Sequence, residues 1–332
     1  MTPSFKKATK TQSRARIALV GPSGSGKTYT ALSLARHLGD HVALIDTERG
    51  SASKYADEFS FDVLELEEFS PLSYVEAIGA AVREGFDVLV IDSLSHAWSG
   101  AGGALELVDK AAKKNQSGNS FGAWREVTPL HNKLVDSILR ADCHVIVTMR
   151  AKTDYVQEKD DRGRTQIRKV GLAPVQRDGL EYEFDIVADI DIEHNFVVSK
   201  TRCKALSGMV ENCAGEAVAL KIKSWLTSGA PVPEPEQKKR LIAHVREALS
   251  ELNAKGYQPQ WTKTTLELYV GDMFLGAPGL DALSVEELQK LLGDLNSKLD
   301  AQIAKNEAEQ SLAGSRAKTA VNSAGAQEGA AN

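Results

Sequence analysis

Residues Gly21-Pro22-Ser23-Gly24-Ser25-Gly26-Lys27-Thr28 place three glycines ahead of a lysine and a hydroxyl, the pattern G-x-x-x-x-G-K-[ST]. That order of residue types suits the phosphates of a nucleoside triphosphate. Glycines let backbone N–H groups turn inward around the anion, and a helix starting at the lysine adds the partial positive charge of its N-terminus. Lys27 is the group that reaches the β- and γ-phosphates, and the Thr28 hydroxyl is the group that holds Mg²⁺. Every residue from Gly21 to Thr28, with Tyr29 next to it, is a candidate nucleotide contact. A glycine-rich turn before a helix is the plain alternative. The flanking segments weigh against it, because apolar Ile17-Ala18-Leu19-Val20 enters the loop as a strand and Thr28 to Leu38 leaves it with apolar residues at helical spacing.

Carboxylates supply the rest of the chemistry. Asp92 ends the apolar run Val88-Leu89-Val90-Ile91. An acid at the end of such a strand holds the Mg²⁺ shell together with the loop threonine, so Thr28 and Asp92 form the candidate metal site. Ile45-Asp46-Thr47-Glu48 brings two more acids to a strand exit. A carboxylate there can orient or deprotonate the attacking water. Glu48 lies further into the loop than Asp46 and is the candidate catalytic acid, with a solvated strand-end acid as the alternative.

These groups need a sheet to hold them. Apolar strands at 16–20, 41–46, 61–66, 87–92 and 143–149 alternate with helices at 28–38, 71–84, 102–114 and 121–140. Ser70-Pro71 is a capping residue followed by a first-turn proline, and Pro129 is expected to break or kink the last of these helices. The alternation predicts an α/β fold with a mostly parallel sheet covered on both faces. After Arg150 the pattern becomes hairpins: 155–157 against 165–167 around a charged tip at Asp160-Asp161-Arg162-Gly163, then 184–192 against 196–201 as a meander extending the sheet.

The chain of 332 residues has a net charge of −5 and is 42% apolar, so it is not a basic nucleic-acid coat. No apolar stretch is long enough for a membrane span, and no membrane partner is expected. Cys143, Cys203 and Cys213 are too widely spaced for a zinc site or a disulfide framework, which fits a reducing, cytoplasmic compartment. Residues 1–15 form a basic arm, expected to touch a partner subunit or a phosphate backbone. The ATPase core then spans 16–227. A proline-rich linker covers 228–236 and a small helical domain 237–303. The last stretch, 304–332, reads as a disordered tail because its Ala, Gly, Ser, Asn and Glu leave little to bury.

Gly21–Thr28, then Ala43-Leu-Ile-Asp-Thr-Glu48 with Tyr55-Ala56, then Val88-Leu-Val-Ile-Asp-Ser93 resemble the RecA-like P-loop NTPase core in order and spacing. The resemblance implies that Glu48 activates water and that Thr148-Met149-Arg150 is the region sensing the γ-phosphate. RecA has a glutamine there and this chain does not, so Arg150 is its substitute. Val197-Val-Ser-Lys200-Thr-Arg202 is similar to the strand end from which RecA-type proteins send two cations to a neighbour's γ-phosphate, which assigns Lys200 and Arg202 a catalytic role across a subunit interface. An exposed basic strand end is the alternative. Phe5-Lys6-Lys7-Ala8 resembles a segment that links recombinase subunits.

Tyr55–Phe59, Ile91–Trp98, Phe121–His131 and Val175–Phe184 together resemble phage and prophage nucleotide-binding proteins with a minimal RecA-like core, a likeness covering roughly residues 5–225. It implies ATP and Mg²⁺, self-association into a ring or filament, and action on single-stranded DNA in recombination or replication. Lys152, Lys159, Arg162, Arg164, Arg168 and Lys169, with Tyr155 for stacking, make the 152–169 hairpin the candidate DNA contact. A nucleotide-gated module that loads a replication partner or a single-strand binding protein, with little turnover, is the competing reading. A small-molecule kinase is the third.

Overall fold

The computed structural model describes residue 5 and residues 7–114, 120–159 and 165–328. Strand β1 (Arg16–Gly21) is buried along its whole length and runs into the loop before helix α1 (Lys27–Leu38). Then come β2 (Val42–Asp46), β3 (Asp62–Glu65), α2 (Pro71–Arg83) and β4 (Val88–Asp92). Short α3 (His96–Ser99), α4 (Ala104–Lys114) and α5 (Ser120–Arg140) lead to the long β5 (His144–Lys159) and its partner β6 (Thr165–Pro174). Strands β7 (Ile186–Ile190), β8 (Asn195–Thr201) and β9 (Val210–Asn212) precede α6 (Glu216–Thr227).

The described residues form a nine-stranded sheet in the order β3-β2-β4-β5-β1-β7-β8-β9, with β6 paired to β5. From β3 to β7 neighbouring strands are parallel, and β8 and β9 extend the sheet antiparallel. The fold is therefore the α/β class that the alternation predicts. Both faces are packed, since successive side chains of a strand point to opposite faces. Ile17, Leu19, Leu44 and Val90 join the cluster under α1 and α6. Ala18, Val20, Ile45 and Leu89 join the one under α2 and α5.

Ser70 caps α2 as its sequence predicts, its hydroxyl accepting from the Ser73 N–H. Helix α5, in contrast, is continuous across Pro129, not broken there. Flanking Val127, Leu134 and Ile138 are buried, and that packing outweighs one missing backbone donor.

The basic leader is tied to its own chain. Lys10 Nζ donates to the Trp225 carbonyl and the Ser228 hydroxyl at 2.5 Å each, and Arg14 Nε donates to Asp142 at 3.2 Å. Arg16 is buried, and its guanidinium donates to the carbonyls of Ala15, Cys143, Leu139 and Ala141, closing the end of α5.

The chain divides into two compact units, Met1–Ala230 and Pro231–Asn332, and the division falls inside the expected linker. The second unit holds α7 (Glu234–Ala254), α8 (Lys263–Met273) and α9 (Val285–Glu328) around Val245, Leu252, Val270, Leu288 and Leu295. Residues 304–328, expected to be disordered, continue α9 as helix. Alanine, glutamate, glutamine and lysine carry high helix propensity even where nothing is buried. Among the described residues no helix is long and apolar enough to cross a membrane.

Candidate active site

The sheet order brings four strand exits side by side. Gly21 is in register with Arg150, and Asp46 with Asp92. The loop between β1 and α1 takes left-handed backbone at Gly24 (φ 79°) and Gly26 (φ 83°), which side chains oppose. A Cβ on Gly21 would lie 2.4 Å from the Ile190 carbonyl oxygen, so only glycine lets β1 turn there. Ser23 is exposed and Ser25 is buried, its hydroxyl without a hydrogen-bond partner among the described residues. Lys27 Nζ donates to the Pro22 carbonyl at 2.7 Å. Burial lowers the Lys27 pKa, while Asp92 and Glu48 pull it back up.

Asp92 is buried and accepts from two hydroxyls, Thr28 Oγ1 on Oδ2 at 2.5 Å and Thr148 Oγ1 on Oδ1. Burial raises its carboxyl pKa against both hydrogen bonds. The metal pair expected from sequence is thus assembled. A hydroxyl and a carboxylate at the head of α1 are hard oxygen donors of the kind Mg²⁺ takes. Glu48 and Asp46 have different tasks. Asp46 is buried and accepts from the backbone N–H groups of Glu48 at 2.5 Å and Ala52 at 3.1 Å, so it shapes the turn. Glu48 Oε1 accepts from Arg150 Nη2 at 2.8 Å and Nε at 3.2 Å.

Three residues here, Thr47, Tyr74 and His194, are not marked by the sequence pattern. Thr47 Oγ1 accepts from the Ser93 N–H at 2.8 Å and lies 2.6 Å from His96 Nδ1. Tyr74, wholly buried on α2, donates its hydroxyl to the Ser93 carbonyl at 2.9 Å. His194, from the turn between β7 and β8, places Nδ1 3.0 Å from the Ser25 carbonyl oxygen and its ring against Gly26. The polar residue between two strand-end acids at 46 and 48 is the one signal that could have singled out Thr47.

Tyr29 faces outward beside the loop. Its ring meets Tyr55 and Phe59 edge-on, and its hydroxyl donates to Glu58.

Lys200 and Arg202 are not brought to the loop of their own chain. Thr201 is level with Ile186, which is level with Ile17, so this triplet sits at the opposite end of the strands from Gly21. Lys200 Nζ donates to the carbonyls of Glu181, Tyr182 and Phe184 at 3.0, 2.6 and 2.7 Å, and Arg202 pairs with Asp185 at 2.7 Å. Expected to act across a subunit interface, within their own chain they form a clamp on the turn at 180–184. The reason is local: three outward carbonyls satisfy all three ammonium donors.

The 152–169 hairpin is longer than the sequence pattern indicates, with its root at Ala151 opposite Pro174. Its expected tip at 160–163, and Arg164, lie outside the described residues, as does Lys6 of the Phe5–Ala8 segment. Phe5 itself is exposed. Cys143 is buried and its thiol is pushed up to about 11 by that burial, which makes it an inert core residue.

A family model described as an AAA domain matches residues 13–212, more than half of the chain. No curated protein matches it. Among solved structures, the chain is similar to a serine palmitoyltransferase variant from S. paucimobilis with a bound PLP-myriocin aldimine. That match has 14% identity, covers 84% of this chain and 71% of that one, and has a TM-score of 0.30. A second structure, of an SPT variant with PLP, is 13% identical over 85% of this chain and 72% of that one, with a TM-score of 0.31.

Proposed function

The chain belongs to the AAA domain family, and on that premise we propose that it is an ATP-hydrolysing protein whose turnover responds to single-stranded DNA. The observation that carries the hydrolytic part is the Thr28–Asp92 contact at the head of α1, with Glu48 one strand away. Thr28 and Asp92 are the residues that would hold Mg²⁺, which would supply positive charge to offset that of the phosphates. Lys27 and the loop amides bind the phosphates. Glu48 orients the attacking water and accepts its proton. Arg150 leaves Glu48 for the terminal phosphate, an exchange made easy because exposed ion pairs are worth at most about 1 kcal/mol.

The DNA part is supported by position and by sequence. β5 carries Arg150 and then continues into the hairpin with β6, and the 152–169 segment is rich in lysine and arginine. A ligand on that hairpin is one strand's length from the residue holding Glu48.

A second reading is a nucleotide-gated loader for a replication partner. The pairing of Glu48 with Arg150 favours it, since a carboxylate already neutralised is a poor base. ATP turnover measured against protein concentration, with and without single-stranded DNA, separates the two. Stimulation by DNA supports the first. Tight ATP binding with negligible turnover under all conditions supports the second. A steep concentration dependence reveals self-association.

A further inference from the structure

The segment leaving β4 touches both neighbouring strand exits, those of β2 and β5. Leu94 N–H donates to the Thr148 carbonyl and Arg150 N–H donates to Ser95 Oγ, each at 2.9 Å. Ser93 N–H donates to Thr47 Oγ1 at 2.8 Å, and Thr47 N–H donates back to the Asp92 carbonyl at 2.8 Å. His96 closes this set from α3.

Thr47 has one hydroxyl proton to give. Three acceptors compete for it: His96 Nδ1 at 2.6 Å, the Asp92 carbonyl at 3.1 Å and the Ser93 carbonyl at 3.3 Å. The contact to His96 is the tightest of the three, and a Thr47 hydroxyl donating along it requires a neutral His96 with its own proton on Nε2. The ring is held in place. It stacks on Phe69 with centroids 5.0 Å apart and planes at 28°. A Cβ on Gly100 would come within 2.7 Å of both Phe69 Cδ2 and the His96 carbonyl oxygen, so the chain is closely packed around it. Burial first, and Arg150 second, lower the His96 pKa against Glu48 and Asp46, which favours the neutral ring.

The geometry points to His96 as a positioning residue for hydrolysis: acting through Thr47, it fixes Glu48 relative to Asp92. The role rests on the reading of Glu48 as the water-activating carboxylate. Thr47 is the residue between Asp46 and Glu48, and its side chain is the polar link from that turn to the backbone of Asp92 and Ser93. A free Thr47 rotamer would let the turn shift while leaving the phosphate loop untouched. Small displacements of a reacting group are costly in rate and cheap in binding.

The test is a double-mutant cycle on the full chain, reading kcat and ATP affinity separately. His96→Ala and Thr47→Val should each lower kcat about tenfold with ATP affinity little changed. The double variant should be no slower than the worse single one, because both remove the same link. His96→Asn, whose amide can take the place of Nδ1, should recover most of the rate, and it carries the test if His96→Ala does not fold. Losses that multiply in the double variant, or His96→Asn as slow as His96→Ala, overturn the proposal. If the wild type itself turns over no ATP, the reading of Glu48 fails instead. Imidazole ¹⁵N shifts then decide the pair alone: a bare Nδ1 and protonated Nε2, lost in Thr47→Val, support it, and a protonated Nδ1 overturns it.

Discussion

Thr28 Oγ1 lies 2.5 Å from Asp92 Oδ2 across 64 residues of sequence, joining the head of α1 to the end of β4. Thr148 donates to the other carboxylate oxygen. A buried acid held by two neutral hydroxyls is poorly compensated. Its pKa is raised by burial above the ordinary 3.8. Asp92 is thus kept at a cost in stability that a divalent cation would relieve.

Asp92→Asn should therefore stabilise the nucleotide-free protein at neutral pH. A raised folded-state pKa means stability is fully present below 3.8, where Asp92 is protonated in both states, and is lost as pH rises through the folded value. The amide removes that loss. Thermal scans without nucleotide should show a gain of about 2–4 °C at pH 7 that shrinks to nothing as pH falls towards 3.8. In the same variant, ATP binding should lose its dependence on Mg²⁺. A lower melting temperature at pH 7 would show that the ionised carboxylate is fully compensated.

Glu48→Gln should keep ATP affinity and lower kcat about a hundredfold or more, because the amide retains shape but accepts no proton. The variant also weakens the pair with Arg150. That pair is half exposed, so the melting temperature should move little. Wild-type turnover in single-cycle assays would transfer the role to another acid.

Arg16→Leu should destabilise the first unit by about 3 kcal/mol in urea titrations. The guanidinium serves four backbone carbonyls at the end of α5 and the start of β1, and leucine takes that donor from all four, of which the Ala15 carbonyl keeps the Val145 N–H. Arg16→Lys should rescue little, since a single ammonium lacks the planar fork that spans them.

How much of this was legible in the sequence follows from distance along the chain. The loop, Thr28 and Asp92 could be read because motif residues sit at fixed offsets from strand ends. Glu48 could be preferred to Asp46 from its place further into the loop, but the task of Asp46 was not legible, since it depends on the backbone N–H groups that Glu48 and Ala52 present to it. The partners of Glu48 and Thr47 were not legible. Arg150 meets Glu48, and His96 meets Thr47, only because β4 lies between β2 and β5 in the sheet. Strand order is a tertiary property that no local pattern encodes. Pro129 as a break and residues 304–328 as disorder misled for the converse reason: composition signals an interruption, while packing in one case and helix propensity in the other continue the helix.

Lys200 offers the sharpest contest between motif and geometry. The Lys-x-Arg strand end implies cations that act on a neighbour's phosphate. In the folded chain the Lys200 ammonium already has three carbonyl partners on the 180–184 turn, with the Tyr182 ring 5.8 Å away. Reaching a second subunit would mean giving up three charge-assisted hydrogen bonds at once. Lys200→Ala should accordingly cost about 1 kcal/mol of stability while leaving turnover per folded molecule near that of the wild type. Mixing Lys200→Ala with Glu48→Gln should give no more activity than the sum of the two alone. Recovery above that sum would mean that the ammonium leaves its clamp when subunits meet, and that the active site is shared after all.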